Sequence, residues 1–198
     1  MNGRRPAPVA LHDRAAEDLR FIRDTMHGAT AFTALSGVGY ILVGLGAVVA
    51  FAVSHALSSP ADRLSVWLVD AIASVLLGLL TTALKARSAE QPVLSGPLRK
   101  FALSFAPSVA AGAVMTLMLV RHELYGYLPP LWLLCYGAGL ASAGAFSVRL
   151  VPVMGMSFMA LGVLAAVVAP LWADGALLLG FGGLHVGFGI VIARRYGG

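Results

Sequence analysis

The stretch "GFGGLHVGFG", Gly180–Gly189, sets one histidine among five glycines. Three readings compete: a loop that cradles phosphate, a ligand or proton site in a membrane, or only a closely packed helix. The dinucleotide fingerprint needs its last glycine three residues after its second. Here that position is His185. The flanks "ADGALLL" and "IVIARR" continue an apolar run and supply no strand-to-helix turn. The stretch therefore reads as the middle of a membrane-spanning helix, and that reading decides the fold class.

The rest of the chain agrees. Of its 198 residues 59% are hydrophobic and 12% charged, about half the charge of a soluble domain, which is about 25%. One cysteine, Cys135, excludes an internal disulfide or a cysteine-rich metal site. The net charge of +5 does not indicate nucleic acid, because the basic residues lie on short loops between apolar runs. Twelve of the 14 basic residues are arginine, and Ala and Gly abound. This composition is that of a GC-rich bacterial genome.

A helix needs about 20 apolar residues to cross the hydrocarbon core. Six runs meet this, at about 31–54, 65–86, 101–120, 131–149, 153–172 and 175–194. The first starts late and is long, so no secretory leader is expected. With the N-terminus inside, twelve basic residues lie on the inner side, and only Arg63 and Arg121 outside. Trp67, Trp132 and Trp172, with Tyr125 and Tyr127, fall at the outer ends, where aromatic rings favour the interface. The expectation is an all-α, six-span bundle over residues 31–195 in the bacterial inner membrane, both termini cytoplasmic.

Residues 1–30 form a cytoplasmic arm. In "LHDRAAEDLRFIRDTM", Leu11, Ala15, Leu19, Ile22 and Met26 share one helical face. The other face mixes charges, with Arg14–Asp18 and Arg20–Asp24 at i,i+4 spacing. Such a face suits a solvated amphipathic helix better than an anionic lipid surface.

Glycine carries most of the remaining pattern. The spacing Gly-x-Gly-x4-Gly occurs at Gly37/Gly39/Gly44, Gly137/Gly139/Gly144 and Gly180/Gly182/Gly187. Spans one and four run in opposite directions, the relation of a three-plus-three inverted repeat. Small residues also let membrane helices approach closely. On an α-helical wheel Ala176, Gly180, Gly183 and Gly187 form one packing face, and Gly182, Gly189 and Ala193 the opposite one.

Ionisable groups at membrane depth are functional candidates. His185 sits near mid-depth in span six, beside Phe181 and Phe188. Asp70 lies about 8 Å below the outer edge of span two, with Ser74 one turn further in. Both are candidate ligand or ion sites. His122 and Glu123, with His55, Asp62 and Asp174, would line an outer vestibule. One His-Glu pair without helix-spaced partners is a weak metal signal, so no metal site is expected. Haem is not expected either, since no second histidine shares the depth of His185. The signatures Gly-x-Ser-x-Gly, His-Glu-x-x-His and Gly-x-x-x-x-Gly-Lys-Ser/Thr are absent.

These features favour a non-enzymatic membrane protein. It would bind a lipid, a small apolar ligand or a membrane-protein partner, as an accessory or regulatory subunit or a homo-oligomer. The alternative is a small-solute transporter or channel built on the inverted repeat. Its spans show less polar lining than a polar solute needs.

Overall fold

The computed structural model describes residues 16–19, 36–88, 96–168 and 172–196. The chain divides into Met1–Ala31 and Phe32–Gly198. Of the first unit, residues 16–19 form one exposed helical turn; the rest of the expected amphipathic arm lies outside the described residues. The second unit is helical, without a strand among its described residues.

Its helices are α1 (Gly37–His55), α2 (Pro60–Ser88), α3 (Gly96–Arg121), α4 (Leu128–Ala143), α5 (Leu150–Val168), α6 (Ala173–Leu177) and α7 (His185–Tyr196). Leu178–Leu184 joins α6 to α7 as a π-helical segment. Local chemistry sets the ends. The Gly39 amide donates to Ser36 Oγ, 3.1 Å, at the start of α1. Pro60 opens α2, where its missing N–H costs nothing. Asp62 in its first turn and Lys85 and Arg87 in its last complement the helix dipole. Pro107 lies inside α3 and leaves the Leu103 carbonyl without its usual donor.

Five helical stretches are long and apolar enough to cross a bilayer: α1, α2, α3, α5 and the continuous run from α6 through α7. Hydropathy places span four at about 131–149. The helix there instead starts at Leu128, with Pro129 and Pro130 in its first turn, and ends at Ala143. Its 16 residues reach about 24 Å, short of a hydrocarbon core of about 30 Å. The chain then turns through a 3-10 segment, Gly144–Phe146, and Gly144 packs so closely on Pro152 that an added Cβ would lie 2.7 Å from its nitrogen.

Two antiparallel seams of small residues hold the centre. In the first, α1 meets the last span: Gly37 against Ala193, Ile41 against Gly189, Gly44 against Val186 and Val48 against Gly182. In the second, α4 meets α5: Leu134 against Gly162, Gly137 against Met159, Ala141 against Gly155 and Gly144 against Pro152. Steps of three and four along each helix keep one face in contact, as in left-handed helix pairs. A Cβ on Gly155 would come 2.5 Å from the Ala141 nitrogen, so backbone meets backbone there.

The middle glycine of each motif serves another neighbour. Gly39 faces the Thr81 hydroxyl of α2, and Gly139 faces the Phe105 ring of α3. The motif thus marks a helix packed closely on two sides. An inverted repeat of spans 1–3 onto 4–6 pairs the span-one contacts to span six with span-four contacts to span three. Gly137 and Gly144 contact α5 instead, so the shared spacing does not map onto that repeat.

The end of the core near the α1–α2 connection closes around tryptophan. Trp67 is only 5% exposed, and the Trp132 indole donates to Thr116 Oγ1, 2.9 Å. These two rings thus turn into the protein, while Trp172 stays exposed. Arg63 donates to the Leu57 carbonyl and pairs with Asp174 at 3.2 Å. This joins the α1–α2 connection to the start of the last span.

Candidate functional site

The π segment falls within the glycine-rich stretch around His185 and shapes the site. A π turn bonds i to i+5 and holds one residue more than an α turn. Each such insertion rotates the downstream helix by about 100°. Gly180 therefore still packs on Leu133, Phe158 and Leu161. Gly183 and Gly187 do not join it, since a Cβ at either would meet no atom within 4 Å. The expected face of Gly180, Gly183 and Gly187 is corrected accordingly. The opposite face, Gly182, Gly189 and Ala193, lies in the seam with α1.

The same segment aims His185 into the protein. The side chain is 1% exposed, and its Nε2 lies 2.8 Å from the Tyr136 hydroxyl of α4. Tyr40 of α1 and Phe181 stack on the imidazole, with centroids 5.7 and 6.0 Å away. Phe158 of α5 meets it edge-on at 5.3 Å. Tyr136 in turn makes edge contacts with Phe105, Phe158 and Phe181. Helices α1, α3, α4 and α5 and the π segment thus converge on one tyrosine–histidine pair inside an aromatic box.

The Gly180 and Phe181 carbonyls approach the ring, but Nδ1 makes no aligned hydrogen bond. It and Trp67 Nε1 are the buried side-chain polar atoms without one among the described residues. In the tautomer with its proton on Nδ1, Nε2 accepts from the Tyr136 O–H. The bond satisfies the hydroxyl and Nε2 in an apolar setting, where a lone polar group would be costly.

Asp70 stands apart. It is half-buried, on the α2 face that meets α1. A Cβ on Gly46 would lie 2.9 Å from its Oδ1, so the missing side chain makes room for the carboxyl group. Ser74 follows one turn on, also half-buried. The structure brings Asp70 to α1 and not to His185.

The candidates expected to line a vestibule are dispersed. His55 stacks on Phe51 at 5.5 Å, and Asp174 pairs with Arg63. His122 and Glu123 are exposed in the turn after α3, where Glu123 has φ 58°. Among the described residues no three His, Cys, Asp or Glu side chains stand together as a metal site.

Sequence reasoning did not single out Tyr40, Tyr136 or Phe158, which read as ordinary members of apolar runs. Gly155 and Gly162 were also passed over. Their spacing of seven, matching Gly137 and Gly144, was the available signal. Compared with family models, curated proteins and solved structures, the chain matches none.

Proposed function

We propose that this chain is a six-span bacterial inner-membrane protein with both termini cytoplasmic, and that it acts by binding rather than by catalysis. It takes a lipid-like ligand or a membrane partner against its two peripheral helices, α2 and α3. One observation carries the reading. Within their apolar windows only 6% of residues are buried in α2 and in α3, against 33–39% in the other three spans. The sixth crossing is α4, whose helix is lengthened by the 3-10 turns Tyr125–Tyr127 and Gly144–Phe146 at its ends. The inner-side excess of Arg and Lys supports the orientation.

The test is photo-crosslinking in native membranes, with a reactive residue in turn at Val75 of α2, Val109 of α3 and Val49 of α1, all exposed. Binding at the peripheral helices gives one discrete adduct at Val75 and Val109 and diffuse lipid labelling at Val49. Identical labelling at all three positions refutes it.

A second reading, an ion-coupled small-solute transporter, draws on Asp70, an ionisable side chain at membrane depth without an ion-pair partner among the described residues. Uptake by reconstituted vesicles that survives Asp70→Asn unchanged removes that role.

A further inference from the structure

Helices α2 and α3 are consecutive in sequence but share no packed interface among the described residues. The first lies on α1 and the second on α4. Near the outer surface both touch the turn Tyr125–Tyr127. Further in, they stand apart.

The two walls of this cleft show the same change along their length. On α2, Trp67, Ala71 and Gly78 fall on one stripe. Trp67 is buried in the core. Ala71 is exposed, and a Cβ on Gly78 would meet no atom within 4 Å. On α3, Thr116, Val109 and Ala102 repeat every seven residues on one stripe. Thr116 is buried and bonded by Trp132, whereas Val109 and Ala102 are exposed. The cleft is closed outside and opens towards the inner side. From Ala71 to Lys85 the open wall runs about 21 Å, more than the about 15 Å depth of one leaflet's hydrocarbon.

Its inner end is cationic. Lys85 and Arg87 end α2, and Arg99 and Lys100 begin α3. Lys85 donates to the Tyr196 carbonyl, 3.0 Å. The described carboxylates of Phe32–Gly198 are Asp62, Asp70, Glu123 and Asp174, none of them at this end. A long apolar slot with small-residue walls, sealed outside and ringed by cations inside, matches one chemistry: an amphiphile with an anionic head at the inner surface.

We propose that the α2–α3 cleft seats one anionic phospholipid of the inner leaflet. Its acyl chains lie along Ala71, Gly78, Ala102 and Val109, and its phosphate sits between Arg87 and Arg99. This rests on the binding reading proposed for α2 and α3 and names the ligand class and the place.

The test is native mass spectrometry of the full chain in neutral detergent, after exposure to vesicles of dioleoyl phosphatidylglycerol or of dioleoyl phosphatidylcholine. One phosphatidylglycerol per chain is expected to be retained, at least about tenfold over phosphatidylcholine, given about fivefold per neutralised cation. The double variant Arg87→Gln/Arg99→Gln is expected to fall to the phosphatidylcholine level. Gly78→Leu, which fills open space, is expected to expel either lipid while leaving the melting temperature unchanged. Excess inorganic phosphate is expected not to compete. Equal retention of the two lipids, both lost in Gly78→Leu, overturns the anionic assignment but leaves lipid binding standing. Retention unaffected by Gly78→Leu overturns the cleft itself. Displacement by phosphate alone overturns the lipid as the source of the anion.

Discussion

Gly187 and Gly189 are two residues apart in one helix, yet alanine at each should act in opposite directions. A Cβ on Gly189 would lie 2.9 Å from the Ile41 nitrogen and 3.0 Å from the Gly37 carbonyl. These are backbone atoms, which cannot swing aside, so α1 must move outward along the seam. Overpacking of this kind costs about 1–3 kcal/mol. At about 2–4 °C per kcal/mol for a chain of this size, Gly189→Ala should lower the melting temperature by about 2–12 °C. At Gly187 the added methyl meets nothing within 4 Å, and alanine gains up to about 1 kcal/mol of helix propensity. Its melting temperature should hold or rise by up to about 4 °C. Both variants can be tracked by intrinsic tryptophan fluorescence in one detergent, with Gly183→Ala as a second open-side control. The π segment is the premise on trial. Were Leu178–Leu184 regular α-helix, Gly187 would sit with Gly180 in a packed face. Equal losses at positions 187 and 189 would refute the reasoning.

The contacts imply four other outcomes. Tyr136→Phe strands a buried His185 nitrogen and should cost about 1–3 kcal/mol; in a double-mutant cycle with His185→Phe the combined loss should be well below the sum of the two, and full additivity in thermal melts would deny the pairing. Gly39→Ala should destabilise by collision with Thr81 Oγ1, and Thr81→Ala should restore most of the loss; no rescue would place the strain elsewhere. Arg63→Gln removes an ion pair whose side chains are 37% and 34% exposed, so it should cost no more than about 1 kcal/mol, with a loss that shrinks in high salt. Gly155→Leu should prevent α4–α5 packing and abolish a monodisperse peak in size-exclusion chromatography, while Gly78→Leu leaves that peak intact.

Much of the fold was legible because hydropathy and charge are additive along the chain. The apolar runs and the packing role of Gly37, Gly44, Gly137 and Gly144 need only local composition and a regular wheel. The end of α4 was not legible. There Gly144 meets Pro152 across a turn, a contact between two helices that a hydropathy window does not register. The displacement of Gly183 and Gly187 was hidden for a related reason. A wheel assumes one rotation per residue, and the segment Leu178–Leu184 breaks that assumption without any residue type that announces it. His185 stood out because histidine is rare in apolar spans. Its partner did not, because a tyrosine there looks like one more aromatic until its hydroxyl is seen 2.8 Å from Nε2.

The wide turn at Leu178–Leu184 also gives this helix a spare position, because it holds one residue more than an α turn. Deleting Gly183 alone would let the backbone close to an ordinary α-helix without removing any contact atom, since a Cβ at that position would meet nothing. The lost residue and the lost π turn offset one another, so everything beyond would keep its face. His185 would stay against Tyr136, and Gly189 and Ala193 against α1. The same deletion inside the regular helix α1 has no such outlet and would swing the residues beyond it by about 100°. In this chain the consequence of a gap depends on whether the turn that loses the residue is wide or regular.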